Sequence, residues 1–477
     1  MSPTRHSERS EGVQITASPY LGDIDFVQLD NHKHGADVLD MVSVADVLRN
    51  AFVYPPHSIY RDVKLAASGF DPRLDLFDRA DYRFEYASTS NREAAEVADE
   101  AHYVDTYHRL LCHAMARSCK RITRPWLLQS GGKDSTSLVI AAAESRPDTQ
   151  CLTYLGGHEE DEVASARAVA GKFGLRHESL VCKPGRAYDR YLALVSRMPL
   201  LTADFALLSY VDLATEVAAA GGDGIIDGVG SDTYFGAPAA PRHRLLSLLA
   251  RQLKLPRAIF RTPAVHRNFK LSFALATLQM NPFERMFPGS RFSDAEVDEL
   301  LGHPLAALSR RRLEAFRRAI TAAPTLHEKR AMSVAIADAG ASFAKGLYTT
   351  HALGLRIAYP FCDAPLSSWV CRNVPMACRM DLKTGVNKVL VRKHIAKHFD
   401  GLPYVAGKGS FRFDLVGFAR ERFDQVHDFA QQTRELMPGA PAWLEAHRRQ
   451  LDNKYHASKF YLLAITLPWL QSRLEHA

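Results

Sequence analysis

The sequence predicts an α/β fold, with a parallel doubly wound sheet, a mainly helical C-terminal part and a small α+β segment at the N-terminus. Three observations lead to it. Between residues 122 and 240, short apolar strands alternate with amphipathic helices. A glycine-containing loop joins the first of these strands directly to a helix. Beyond about residue 241, the apolar spacing is mostly helical to the end of the chain.

The elements follow in order. Residues 1–20 are polar and are expected to be disordered. Val42–Phe52 has the spacing of an amphipathic helix, and Asp81–Tyr86 reads as a short strand. Residues 90–118 read as a helix with Val97, Ala101, Val104, Tyr107, Leu110 and Leu111 at its apolar positions. Trp126–Leu128 is the first strand of the alternation, and a helix runs on through Leu138–Ala143. Cys151–Leu155 is the second strand, and Glu162–Phe173 is a helix closed by Gly174. Glu178–Val181 is the third strand, residues 187–197 and 206–219 are helices, and Gly224–Asp227 is the fourth strand. Leu305–Ile320 and Glu328–Tyr348 read as helices. Phe460–Leu470, interrupted by Pro468, reads as a packed C-terminal helix. The domain reading is a segment 1–118 and a main unit 119–477, the latter with an α/β core over about 122–240 and a helical part over about 241–477.

Composition excludes several classes. The chain has 477 residues, 47% hydrophobic and 24% charged, which is ordinary for a soluble globular protein. No run of about 18 uncharged apolar residues suggests a membrane span. The N-terminus lacks the apolar segment of a secretory signal, so a cytoplasmic location and no membrane partner are expected. The 7 cysteines are an odd number with no C-x-x-C pair, which argues against a disulfide framework and against a structural zinc site. The net charge of +7 does not by itself imply nucleic-acid binding. From Arg242 to Lys270 there are eight basic and no acidic residues, which suits a solvated helical face or a surface for an anionic partner.

The strongest chemical signal is Ser130-Gly131-Gly132-Lys133-Asp134-Ser135, between a strand and a helix. The two glycines let the backbone approach a ligand closely, and the free N–H groups at the helix start favour a phosphate. Ser130 and Ser135 add hydroxyls, and Lys133 adds positive charge. Asp134 is an acid at an anion site, which a bridging Mg²⁺ would reconcile. The spacing is not that of a Walker A loop. A second loop, Asp227-Gly228-Val229-Gly230-Ser231-Asp232-Thr233-Tyr234-Phe235-Gly236, ends the fourth strand. Its glycines allow close approach, and Asp232 offers a second carboxylate, so Asp134 and Asp232 form a candidate Mg²⁺ clamp on a polyphosphate.

The first loop resembles the PP-loop, S-G-G-x-D-S, of the ATP pyrophosphatases, whose fold is of the adenine nucleotide α-hydrolase-like type. The second resembles the G-E-G-S-D-E-L-F-G-G-Y loop of the asparagine synthetase family. Tyr359-Pro360-Phe361-Cys362-Asp363 resembles that family's R-x-P-F-L-D, Lys388–Lys393 its K-x-x-L-R helix, and Gly407–Phe411 its lysine-bearing loop R-x-K-x-x-F. The resemblance covers roughly residues 120–420. It implies ATP cleavage between the α and β phosphates, adenylation of a carboxylate, and displacement of AMP by an amine. It assigns Ser130, Gly131, Gly132, Lys133, Asp134, Ser135, Gly228 and Lys388 to ATP and pyrophosphate, with ATP and Mg²⁺ as cofactors. Lys408 matches the lysine that stabilises charge during catalysis, and Tyr348 is a candidate catalytic residue, with His351 and Tyr359 near the same segment.

The departures from the family narrow the reaction. The family's glutaminase nucleophile is replaced by Ser2, and only about 120 residues precede the synthetase core, so the N-terminal segment reads as a reduced glutaminase remnant and glutamine hydrolysis is not expected. Val229 and Thr233 replace the two glutamates of the second loop, and Arg356 and Ala358 replace a glutamate and an arginine before the Pro-Phe pair. These changes point away from asparagine and towards a small-molecule or peptide acyl substrate and another amine. A peptide leader or carrier protein is a further candidate partner, while nucleic acid is not expected. The named relatives include β-lactam and lasso-peptide macrolactam synthetases. The alternatives are a tRNA-modifying adenylating enzyme resembling tRNA-lysidine synthetase, and a non-catalytic relative.

Overall fold

Five parallel strands make one sheet in the order β3-β2-β1-β4-β5. They are β1 (Pro125–Leu128), β2 (Gln150–Leu155), β3 (Arg176–Val181), β4 (Gly224–Ile226) and β5 (Arg356–Ala358). The molecule is described by a computed structural model over residues 38–61, 63, 100–156, 160–236, 255–287, 292–381, 384–401 and 413–474. The strand expected at 81–86, the start of the helix expected at 90–118, residues 242–254 of the basic stretch and the loop bearing Lys408 lie outside these residues.

The register pairs Leu127 with Cys151 on one side and with Ile226 on the other. The chain winds outward from β1 through β2 to β3, then returns to place β4 on the other side of β1. The switch point therefore lies between β1 and β4, where neighbouring connections leave in opposite directions and open a crevice at the carboxyl ends. The two glycine loops read from the sequence leave those two strands. The fifth strand has only three residues, too few for a period, and it completes the sheet by pairing Ile357 with Ile225.

Helices cover both faces. On one side, α2 (Glu100–Ser118) and α3 (Lys133–Ser145) share a core of Tyr107, Leu111, Leu127, Leu138 and Ile226. On the other, α6 (Leu207–Ala219) packs Tyr210, Leu213 and Val217 against Trp126 and Ile225. Between them in the chain come α4 (Glu160–Lys172), which precedes β3 and is followed by Gly174 at φ +71°, and α5 (Pro184–Leu194). The five-residue helix α7 (Ser231–Phe235) follows β4.

The C-terminal part is helical, with two breaks that a continuous reading of the spacing misses. The helix expected over 305–320 is two helices, α8 (Ala306–Glu314) and α9 (Arg317–Ala322), with Phe316 buried in the core between them. The one expected over 328–348 is α10 (Leu326–Gly340) and α11 (Ser342–Leu353). A capping box of Thr325 and Glu328 starts α10. It ends at Gly340 because the segment Phe52–Val53 packs directly on that glycine and the Thr202 hydroxyl donates to its carbonyl at 2.9 Å. α12 (Val389–Ala396) and α13 (Leu415–Gln432) follow.

The last helix, α14 (Lys454–Leu474), runs unbroken through Pro468. Proline at that position cannot donate to the carbonyl of Ala464, four residues earlier. The Tyr188 hydroxyl donates to that carbonyl instead, at 3.1 Å, and Tyr191 donates to Ile465 at 2.8 Å. Tertiary hydrogen bonds from α5 thus replace the bond that proline removes. The described part of the N-terminal segment shares these cores. α1 (Met41–Asn50) packs Val44 and Leu48 with Leu463 and Trp469 of α14, and α2 lies on the sheet side.

Gly346 sets how closely α11 approaches the sheet, since a methyl there would overlap the Tyr359 hydroxyl and crowd Ile357 and Tyr210. Gly346→Ala should therefore destabilise the protein by about 1–3 kcal/mol. A thermal melt coincident with that of the parent would show that the helix does not depend on this close approach.

Candidate active site

The first loop is held in shape by its own serines. Ser135 Oγ donates to the carbonyl of Ser130 at 2.7 Å and accepts from the Ser130 N–H at 3.1 Å. Thr136 Oγ1 donates to the Gly132 carbonyl at 3.0 Å. Gly132 takes the N-cap position of α3 in extended conformation, with no side chain to occupy the free N–H groups of the first turn. The Gly131 N–H donates to the Glu162 carboxylate at 3.1 Å, so an acidic side chain sits where an anionic ligand would approach this amide. Lys133 is depressed below the ordinary lysine value by burial and by the nearby Lys388 charge.

The second loop lies beside the first. Gly228 brings its backbone against Asp134 and Leu138, where a Cβ would make ordinary van der Waals contact. Gly230 has φ +101°, and a side chain there would collide with Cys362. The Val229 N–H donates to Asp227 at 3.1 Å.

Lys388 joins the loops. It stands at the N-cap of α12 in the left-handed region, φ +58°, and is 2% exposed. Its ammonium donates to Asp134 Oδ2 at 2.7 Å and to Ser231 Oγ at 2.6 Å, and lies 2.8 Å from Asp232 Oδ1. A cation at a helix N-terminus opposes the helix dipole, and a non-glycine residue there carries backbone strain. The two carboxylates offset both costs. Burial alone would lower the lysine pKa, but Asp134 and Asp232 hold it above the ordinary value. The expected metal pair is therefore brought together, with one lysine between its members. Both are carboxylates, the hard oxygen donors that a magnesium ion takes, and here they converge on the Lys388 ammonium.

A cavity of about 480 Å³ opens beside this pair. One wall carries Ser130, Asp134, Ser135, Gly228 and Asp232, and another carries Leu128, Leu152, Tyr154 and Leu213. Asp338, Ser342 and Lys345, from the α10–α11 junction, also line it. Sequence reasoning missed these three. Their signal was a set of lone polar residues at i, i+4 and i+7 in an otherwise apolar helical stretch. Burial raises Asp338 to about 6; a 2.7 Å hydrogen bond from Ser342 opposes that rise, and the Asp232 charge adds to it. The Lys345 ammonium donates to the Ser342 carbonyl at 3.1 Å and lies 3.6 Å from Asp204.

A family model described as asparagine synthase matches residues 106–403, well over half of the chain. The chain belongs to the asparagine synthase family. Members of this family are ATP-dependent ligases that form amides. No curated protein matches the chain. The matched span contains both glycine loops, Tyr359–Asp363 and Lys388, and it ends before Lys408.

Other expected residues fall elsewhere. Tyr348 is 4% exposed and belongs to the apolar core around α5, α11 and α14, and it is not among the residues lining the cavity. Burial pushes its hydroxyl well above the ordinary tyrosine range. Tyr359 is buried and donates to the Phe343 carbonyl at 3.2 Å. Arg356 is on the edge strand β5 with its side chain exposed.

Lys388→Met would leave Asp134 and Asp232 facing each other without their shared cation. It should cost roughly 2–4 kcal/mol in urea unfolding at neutral pH, the lower figure reflecting water access to Asp232. Adding Asp232→Asn should recover part of that loss. Unchanged stability of the single variant would rule out the lysine as the neutralising group.

Proposed function

We propose that this member of the asparagine synthase family is an AMP-forming amide ligase acting on a carboxylate other than aspartate and an amine on a second substrate group. The product would be a peptide, natural product or modified glycan. The observation that carries the reading is the convergence of the PP-loop, the Asp134–Lys388–Asp232 bridge and Asp338 on one cavity.

The chemistry follows from the lining. The amides of the PP-loop and the hydroxyls of Ser130 and Ser135 bind polyphosphate oxygens, with Glu162 giving up the Gly131 N–H. Lys388 offsets negative charge on the same oxygens. Magnesium held by Asp134 and Asp232 would supply charge neutralisation of the polyphosphate. The apolar wall of Leu128, Leu152 and Tyr154 receives the nucleoside. A substrate carboxylate oxygen then attacks the α-phosphorus, the α–β bridging P–O bond breaks, and pyrophosphate leaves with the bonding pair. In the second step the amine nitrogen attacks the acyl carbon, the acyl C–O bond breaks, and AMP leaves.

The amine must lose a proton in that step. The Asp338 carboxylate lines the cavity with no arginine or lysine salt bridge among the described residues, and burial raises it to about 6, which suits a general base near neutrality. The charged groups around it are Asp232, Lys345 and Asp204. The positions that carry glutamates in the resembled loops hold Val229 and Arg356 here, so Asp338 supplies the carboxylate from another element.

ATP–pyrophosphate exchange with radiolabelled pyrophosphate and candidate acids should report the first step. With the true acid present, a complete lack of exchange and of AMP release would overturn the reading. Amide formation should rise through about pH 6, as the group raised to that value loses its proton, and level off above it. Asp338→Asn should lower amide formation by roughly 100-fold or more and abolish that limb, while leaving exchange intact. Loss of exchange in that variant would move Asp338 from the second step to the first.

A further inference from the structure

A second cluster of chemically capable side chains lies on the helices behind the PP-loop and plays no part in the reaction above. His108 is on α2, His394 is on α12, and His398 follows the end of α12 one turn later. One nitrogen from each of the three rings lies within 4.8 Å of the others. His108 Nδ1 and His394 Nε2 face each other at 2.9 Å. The rings of His394 and His398 have centroids 5.4 Å apart, and those of His108 and His398 5.7 Å apart.

The outward nitrogens are already engaged. His108 Nε2 is 2.8 Å from the Glu144 carboxylate. His394 Nδ1 is 2.9 Å from Ser137 Oγ, which is 2.9 Å from the Tyr107 hydroxyl. Metal-ligating histidines are oriented in this way, with the second ring nitrogen donating to a carboxylate or another oxygen while the first points at the ion. His394 is fully buried, whereas His108 and His398 are partly open to solvent and give an ion a route in.

We infer that His108, His394 and His398 form a binding site for one divalent transition-metal ion of the zinc class, with Glu144 and Ser137 as the groups that orient two of the ligands. A tetrahedral ion with bonds of about 2.0–2.1 Å needs its nitrogens roughly 3.3 Å apart, so His108 and His394 separate by a few tenths of an ångström on binding. In the neutral form that binds a metal each ring carries one proton, so as the ion enters, the proton between these two nitrogens moves to the outward nitrogen of its own ring. His108 then carries its proton on Nε2, towards Glu144, and His394 carries its own on Nδ1, towards Ser137.

Cys112 Sγ lies 3.7 Å from His108 Nε2, and with Glu144 it makes a second possible ligand group around the other face of that ring. That nitrogen is the one His108 already turns to Glu144 at 2.8 Å, and the Glu144 side chain is largely exposed. The three imidazoles are the better set.

The site joins three elements of the active region. α3 begins at the PP-loop and carries Ser137 and Glu144, and α12 begins at Lys388 and carries His394. An ion here fixes α12 against α2 and α3, and so fixes the base from which Lys388 reaches Asp134 and Asp232.

The test uses the full-length, untagged chain, stripped with a chelator and then given Zn²⁺ or Co²⁺. About one equivalent of zinc should remain after gel filtration, matching a single three-histidine site. The melting temperature should rise, and cobalt should give the intense visible bands of a tetrahedral site. His108→Ala and His398→Ala should each weaken zinc binding at least tenfold, Ser137→Ala less so, and the exposed His303→Ala not at all. His398 lies at a helix end, so its variant should fold even if the His108 variant does not. No zinc retained by the parent chain, or retention undiminished in the His398 variant, would overturn the proposal.

Discussion

The active region depends on one buried ammonium. Lys388 is desolvated, strained at its backbone and placed at the wrong end of a helix for a cation. It persists there because Asp134 and Asp232, from loops on neighbouring strands, share it. Neither loop could hold its carboxylate at this spot alone, since two acids at a crevice repel each other. The lysine makes the pair tolerable and fixes how far apart the loops stand. Through α12, the position of that lysine also depends on α2 and α3, where the histidine cluster lies.

The sheet supplies the place for this bridge. The order β3-β2-β1-β4-β5 puts the exits of β1 and β4 side by side, and Gly230, at φ +101°, lets the second loop turn against Cys362. Gly346 lets α11 approach the sheet closely, and beside the break after Gly340 the residues Asp338, Ser342 and Lys345 line the same cavity. α14 is buried along almost its whole length and survives an internal proline because Tyr188 supplies the missing donor.

Much of the candidate site was readable in the sequence because local chemistry marks it. A glycine-rich turn between a strand and a helix has few other uses when it also carries Asp134 and two serines. The acceptor side was less legible. Asp338 lies in a stretch whose spacing reads as one long helix, and contacts from distant segments, Phe52–Val53 and Thr202, break it at Gly340. Tyr348 was chosen for its position in the chain near the expected segment, but α11 turns it into the core. Chain proximity does not determine which face of a helix meets a cavity.

By itself, the sequence determined the α/β class, the strands β1 to β4 and the two glycine loops that leave β1 and β4. Periodicity and turn composition are local properties, and each residue carries them wherever the chain goes. The tertiary structure alone decided that Lys388 is the shared cation of Asp134 and Asp232, that Asp338 faces the cavity while Tyr348 does not, and that three histidines from distant helices meet. Those facts depend on distances between segments up to hundreds of residues apart, which packing sets and local sequence does not.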